Sequence, residues 1–419
     1  MTQGIARLEP VRERISRDLH ELAEIREPDH LGWTRRVFSE PYRLAREWVT
    51  ARMRDAGLEV RRDGAGNLVG VLPGRSPAAP ALITGSHTDT VQGGGRFDGI
   101  VGVLGAIEVA RLLRESGRQL DRDLVVVDFL GEESNDWRLS CLGSRALAGE
   151  LTRADLDRQD GTGAALGGQF AAFGIDPSAA LGEDWLRRRP VHGYVELHVE
   201  QGPVLEQRGA AIGVVTAIAG IERLLATFRG QADHAGTRPM GDRRDALVAA
   251  AEAVLAVERT GCGAPVHGVA TASEAANVRA APNVVPELIE LRAEMRSVDT
   301  GWLGTARERL AGDIIAAAQA RGVDVSLDWI TDNEVVQASK PIQDVIAEEA
   351  GAAGIAWEAV PSGATHDAVH MARWCPMGMI FVPSKGGRSH CPEEATGLGD
   401  IVHGVRLLAA TMCSLDARP

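Results

Sequence analysis

The stretch PALITGSHTDTVQGGGRFDGIVGVLGAIEVARLLRES, residues 80–116, decides the fold class. It starts as a short apolar run ending at His87, the pattern of a buried strand that delivers a side chain at its carboxyl end. A glycine-rich turn follows, and GIVGVLGAIEVARLLRES then reads as a helix. His87, Asp89 and Asp98 stand close together among the glycines of that turn. Ordinary core sequence has little use for them there.

The flanking sequence repeats the theme. Residues 9–57 have apolar positions at helical spacing, with a break near EPDHLGWTR. LEVRRDGAGNLVGVLPG alternates like two strands around a glycine-rich turn. RDLVVVDFLGEES is another buried strand, ending at Glu132 and Glu133, and VHGYVELHVEQGPVLEQ a third, ending near His198. Strands alternating with helices predict an α/β fold with a mixed sheet flanked by helices. In such sheets ligands bind beyond the carboxyl ends of the strands. The pattern changes near residue 212. Strand, helix, strand, strand, helix, strand then follow as far as VDVSLDWI, which predicts an inserted α+β domain with a four-stranded sheet and two helices. The expected division is 1–211 and 330–419 for the larger domain and 212–329 for the insert.

A chain of 419 residues is too long for one compact core, which agrees with two domains. A net charge of −13 argues against nucleic acid or an anionic membrane as partner, while leaving room for a locally basic site that takes a small anion. Aromatic residues are only 4%, too few for a base-stacking surface. No run of about 18 apolar residues is expected to span a membrane, and the charged, helix-like N-terminus MTQGIARLEPVRERISRDLHEL has no signal-peptide core. The five cysteines are scattered without a CxxC, which predicts reduced thiols in a cytoplasmic protein.

Five candidate ligands stand at or near strand ends: His87, Asp98, Glu133, His198 and His390. A lone histidine on such a loop is more often structural, and a carboxylate near a glycine-rich turn is usually a cap or turn former. The set is harder to dismiss. Adjacent glutamates directly after VVVDFLG would be costly if buried without a cation. Imidazole with carboxylate suits zinc, manganese, cobalt or nickel, and the absence of thiolates argues against a cysteine-type structural zinc. One carboxylate flanked by two ligands on each side is the inventory of a two-metal hydrolytic site. Asp89, two residues after His87, can accept the second ring N–H of His87 and fix its tautomer. An Asx turn is the other reading of Asp89.

These residues carry a family resemblance. The chain resembles the dinuclear metallohydrolases of the aminoacylase and carboxypeptidase type. Within them it is most similar to the amidase branch of N-carbamoyl-L-amino-acid hydrolases, allantoate amidohydrolases and β-ureidopropionases. The matching motifs are GSHTDTV, GGRFDGIVGVLGAIE, FLGEESN, CLGSRALAG, ELHVEQGPVLE, GQADHAGTRPM, PNVVPELIELRAEMR, SGATHDAVHMA and SHCPEE, in order from residue 85 to 394. The resemblance implies a homodimer with a catalytic domain around the metals and a lid domain that supplies dimer contacts.

It also implies residue roles. Two divalent metal ions per subunit (Mn²⁺, Zn²⁺, Co²⁺ or Ni²⁺) would lie on His87, Asp98, Glu133, His198 and His390, with Asp98 as the bridge. Glu132 matches the general base, taking a proton from water and passing it to the leaving nitrogen. His234 in ADHAG matches a histidine that stabilises the oxyanion from the partner subunit; a core or capping histidine is the other reading. Asn283 and Arg296 match residues that hold the substrate carboxylate, a task that suits the guanidinium fork. Arg296 also shares a strand face with Arg292, Glu294 and Glu290, so a surface ion pair remains open. Gln201 and the backbone of Gly363 and Ala364 match positions that hold the ureido end and the substrate backbone. Two departures fall near the site in this family: Arg238, where a small polar residue is usual, and Ser134-Asn135-Asp136, where some carbamoylases carry an acidic, glycine-rich run. The expected activity is hydrolysis of an N-carbamoyl-L-amino acid to amino acid, carbon dioxide and ammonia. Allantoate, another ureido compound, an N-acyl amino acid or a dipeptide is the alternative substrate. A non-catalytic amino-acid-binding protein is the alternative of another class.

Overall fold

The computed structural model describes residues 8–182, 185–279 and 281–418. The first seven residues of the charged N-terminal stretch thus lie outside the described ones, and helix Arg12–Ala23 takes up the rest from Arg12 onward. Two compact units result, one from residues up to Thr216 together with Ala338 onward, the other Ala217–Gln337. The strands in chain order are β1 Glu59–Arg62, β2 Leu68–Leu72, β3 Ala81–His87, β4 Leu124–Phe129, β5 Val191–Val199, β6 Ile212–Ile218, β7 Gly220–Arg229, β8 Val269–Asn277, β9 Leu288–Ser297, β10 Asp324–Asn333, β11 Val336–Gln337, β12 Trp357–Ser362 and β13 Met377–Val382.

The larger sheet runs β1-β2-β4-β3-β5-β13-β6-β11, with β12 paired to β6. Its centre is parallel: β3 pairs with β4 and with β5, and β5 with β13. Its margins are antiparallel, β1–β2–β4 on one side and β13–β6–β11 on the other. Strands β3, β4 and β13 are buried along their whole length, as the continuous apolar runs predict. Helix Ile100–Glu115 buries Ile100 through Leu113, and helix Leu398–Asp416 packs against it. The latter has the length and apolarity of a membrane span, yet 61% of that window is buried inside the unit as core. The sequence reading missed this run because Asp400, His403 and Arg406 interrupt it.

The smaller unit is a four-stranded antiparallel sheet, β10-β7-β9-β8, with helices Ala246–Cys262 and Thr300–Gln319. Alternate residues of β9 are buried, and Ile289, Leu291, Ala293 and Met295 form a core with Ala249, Ala253, Leu310 and Ile314 from the helices. The chain crosses between units at 216/217 and 337/338, later than the expected 211/212 and 329/330. The first shift arises because β6 stays on the larger sheet beside β13, the second because β10 continues to Asn333 against β7.

Candidate active site

Four adjacent parallel strands end on the same side, and each end supplies a candidate ligand. In register, His87 stands beside Phe129 across β3–β4, and His198 beside Phe381 across β5–β13. Glu132 and Glu133 follow Phe129 within one turn, and His390 lies on the loop after β13. Asp98 sits just before helix Ile100–Glu115. Gly99 there adopts φ +69°, and a Cβ on it would meet the His87 ring at 2.4 Å, so only glycine lets the helix start against that ring.

The result is a cluster around Asp98. Its Oδ1 lies 3.2 Å from His198 Nε2, and its Oδ2 lies 3.1 Å from His390 Nε2. His390 Nε2 is also 3.6 Å from Glu133 Oε1. Three groups with metal-binding spacing occur among the described residues; two of them, His87–Asp98–His198 and Asp98–Glu133–His390, share Asp98, and the third is Glu196–His198–His366. His87 and His198 each place Nδ1 against a main-chain carbonyl, Asp89 O at 3.1 Å and Val199 O at 2.9 Å. A carbonyl can only accept, so Nδ1 carries the proton and Nε2 faces the centre. The Asp89 carboxylate stands farther from His87 Nδ1, at 3.5 Å. Its own hydrogen bonds come from the Glu132 and Glu133 amides, at 3.2 and 3.1 Å. The ring N–H thus meets the carbonyl of Asp89 most closely, with the expected Asp89 carboxylate beside the same nitrogen.

Burial and mutual charge set the protonation of these groups. Burial would raise Asp98, but hydrogen bonds from His198 and His390 carry it well below the carboxylate range. Burial works against charge on His390, and Glu133 and Asp98 outweigh it, holding the ring at about 9. Burial pushes Glu133 up to about 7 and Glu132 well above its usual range. Glu132 Oε2 lies 3.6 Å from His87 Nε2, next to the ligand set but in none of the three-residue groups. Such a donor set, three imidazoles and two carboxylates without thiolate, fits two borderline divalent cations. Three side chains here also hold left-handed backbone, Cys141, Gln201 and His390 at φ +56°, +58° and +55°. Strain of this kind gathers where function fixes geometry.

Gln201 donates from Nε2 to Asp98 Oδ2 at 2.8 Å, while its buried Oε1 has no protein partner. An amide oxygen left without a partner beside the ligands is a natural acceptor for a ligand N–H. Gly363 and Ala364 follow β12 in a loop closed by Ser362, whose Oγ accepts the Ala364 amide at 3.1 Å. The same loop carries His366, whose ring packs edge-on against His198 at 4.4 Å.

The other three residues lie in the smaller unit. His234 is exposed, and its Nδ1 accepts the Gly236 N–H at 3.0 Å, which leaves the proton on Nε2. Asn283 is its neighbour, since its carbonyl accepts the Ala235 amide at 2.9 Å. Arg296 is elsewhere: it pairs with Ile221, whereas the 234 and 283 loops extend the opposite end of the sheet, beyond Leu288 and Arg229. Eight residues of strand separate the two ends, roughly 25 Å. Asn283 and Arg296 of one chain are thus not brought together. Arg296 Nε donates to Glu294 Oε1 at 2.8 Å, the partner expected on the ion-pair reading.

Sequence reasoning passed over several buried groups. Glu196, two residues before His198, accepts Ser86 Oγ and Tyr194 OH at 2.7 and 2.8 Å. Asp367 lies fully buried with Ser144 on one oxygen, and Cys141 Sγ sits 3.5 Å from Glu132 Oε1. Glu394 ties the two loops that carry Asp98 and His390. Period-2 spacing from His198 could have singled out Glu196, since both face the same side of β5. The others come together only in the fold.

Residues 83–414 match the family described as Peptidase family M20/M25/M40. The chain belongs to it. It is 35% identical over 409 residues to an N-carbamoyl-L-amino-acid amidohydrolase of Paenarthrobacter aurescens, covering 96% of this chain and 98% of that one. It is equally 35% identical over 409 residues to a ureidoglycolate hydrolase of Arabidopsis thaliana, covering 96% and 86%. A solved amidase of the hydantoinase/carbamoylase family from Burkholderia multivorans superposes with a TM-score of 0.87 at 31% identity, covering 98% and 99%. The protein is a hydrolase acting on C–N bonds, and these relatives support ureido compounds as its substrate class. The non-catalytic binding alternative falls with that.

Proposed function

We propose that this member of the M20 family hydrolyses an N-carbamoyl-L-amino acid to the free amino acid, carbon dioxide and ammonia. The observation that carries the reading is the position of Glu132. It is buried, stays out of the three-residue ligand groups, and stands 3.6 Å from a ligand imidazole with its affinity for a proton raised by burial. A carboxyl in that setting suits proton transfer between the attacking water and the leaving nitrogen. Two divalent cations held by His87, Asp98, Glu133, His198 and His390 would supply an acidified water and polarise the ureido carbonyl.

The remaining residues orient the substrate. Gln201 offers its unpartnered oxygen to the ureido N–H groups, and the loop at Gly363 and Ala364 meets the substrate backbone. His234 donates Nε2–H to the oxyanion, and Asn283 and Arg296 hold the carboxylate. Because His234 and Asn283 lie at one end of the small sheet and Arg296 at the other, one site would draw them from two chains of a homodimer. A cytoplasmic location accords with the five free cysteines.

A second reading is supported by the equal identity to a ureidoglycolate hydrolase: a ureido acid other than a carbamoyl amino acid, such as ureidoglycolate or allantoate. Turnover decides between them, read as ammonia released from carbamoyl, ureidoglycolate and allantoate substrates and as free amino acid released from formyl and acetyl ones. The proposal expects kcat/KM for N-carbamoyl-L-amino acids to exceed the rest. A higher value for ureidoglycolate or allantoate overturns it in favour of the second reading.

A further inference from the structure

Glu394 is 3% exposed, lies in no ion pair among the described residues, and has no role in the reaction as derived above. Its two oxygens nevertheless join the two loops on which the ligand cluster depends. Oε1 accepts the main-chain N–H of Phe97 at 2.9 Å and that of Asp98 at 3.1 Å. Oε2 accepts Ser389 Oγ–H at 2.6 Å, one residue before His390. Ser389 Oγ lies in turn 3.3 Å from Asp98 Oδ2 and 3.3 Å from Gln201 Nε2. A closed ring of hydrogen bonds thus runs from the backbone of Asp98 through Glu394 and Ser389 to Gln201 Nε2, which donates to Ser389 Oγ at 3.3 Å and to the carboxylate of Asp98 at 2.8 Å.

Gly95 makes room for it. A Cβ at Gly95 would meet Glu394 Oε1 at 2.1 Å, so the turn must carry glycine for the carboxylate to reach both amides. His390 holds left-handed backbone at φ +55°, a conformation that persists only where the surroundings impose it. The ring through Ser389 supplies that constraint.

We propose that Glu394 is the positioning residue of the metal centre. It locks the bridging Asp98 and the turn bearing His390 into metal-binding separation before a cation arrives, and Gly95 is its required partner. The inference rests on the reading of the cluster as a dinuclear metal site. Outer hydrogen bonds of this type typically contribute 10–100-fold in metal affinity.

The test is competition of Zn²⁺ between a chromogenic chelator and the metal-stripped full-length protein, with thermal melting of the stripped protein alongside. Wild type should take up two equivalents. Glu394→Ala should bind the weaker equivalent about 10–100-fold less tightly. Gly95→Ala should reproduce that loss, because it evicts the same carboxylate. Glu394→Gln keeps an acceptor oxygen for both amides and can donate to Ser389 Oγ, so it should restore affinity to near the wild-type value. If Glu394→Ala does not fold, Ser389→Ala opens the ring at its other side and should show the same loss in a protein that melts like wild type. Wild-type affinity in a folded Glu394→Ala or Ser389→Ala protein overturns the proposal. So does a Glu394→Gln protein as weak as Glu394→Ala, which would assign the effect to charge instead of position. Failure of the wild type to bind Zn²⁺ would overturn the metal-centre reading itself, and this inference with it.

Discussion

The Asp89 carbonyl oxygen lies 3.1 Å from His87 Nδ1, two residues back along the same turn. The two oxygens of the Asp89 side chain take the amides of Glu132 and Glu133, with Oδ1 still 3.5 Å from the same ring nitrogen. One residue thus sets the tautomer of His87, a candidate ligand, with its backbone and the placement of Glu132 and Glu133 with its side chain. Replacing it by alanine leaves two buried N–H groups without acceptors, each costing roughly 1–3 kcal/mol. Asp89→Ala should therefore lower the unfolding free energy of the metal-free protein, while the His87 tautomer survives. Denaturant titration checks this, and unchanged stability would contradict the geometry.

Glu132→Gln should retain metal and substrate binding. General acid–base catalysis is worth roughly 10²–10⁴-fold, so kcat should fall by at least two orders of magnitude with little change in KM. Steady-state kinetics and elemental analysis of the same sample measure both. A fall of less than tenfold would remove Glu132 from the proton path.

Chelation should abolish activity, and Mn²⁺, Co²⁺, Ni²⁺ or Zn²⁺ should restore it. His87→Ala belongs to one of the two groups that share Asp98 and His390→Ala to the other, so each should lose about one equivalent of metal and leave the second in place. Full turnover in a protein shown to be metal-free would end the mechanism.

Much of this was legible in sequence because the information is local. The buried strands β3, β4 and β5 and the residues at their carboxyl ends follow from apolar runs that stop at polar groups. The small unit follows from the alternation of β9 and the helices on either side of it. What the sequence withheld is tertiary. Glu394 reads as one acidic residue beside Glu393, and only the approach of two distant loops makes it a strap. Asp367 and Cys141 are drawn beside Glu132 in the same way. The acceptor of His87 also depended on a carbonyl, a group that every residue has and no sequence pattern marks.

His234 and Arg296 sit at opposite ends of one small sheet, roughly 25 Å apart along β9. A single chain cannot place both on one small substrate, although His234 and Asn283, joined through the Ala235 amide, can act together. If all three serve each site, Arg296 comes from one chain and His234 with Asn283 from the other. Complementation distinguishes these cases. His234→Ala should lower kcat by roughly 10²–10³-fold without loss of metal. Arg296→Ala should chiefly raise KM for carboxylate substrates. Mixed with Glu132→Gln under conditions of subunit exchange, His234→Ala should regain activity, because one site of the hybrid then joins an intact base to an intact oxyanion donor. His234→Ala with Arg296→Ala should likewise regain activity in one site. His234→Ala with Asn283→Ala should not, since every hybrid site then lacks one of the two. Recovery by the last pair, or none by the first with exchange demonstrated, would refute the two-chain arrangement.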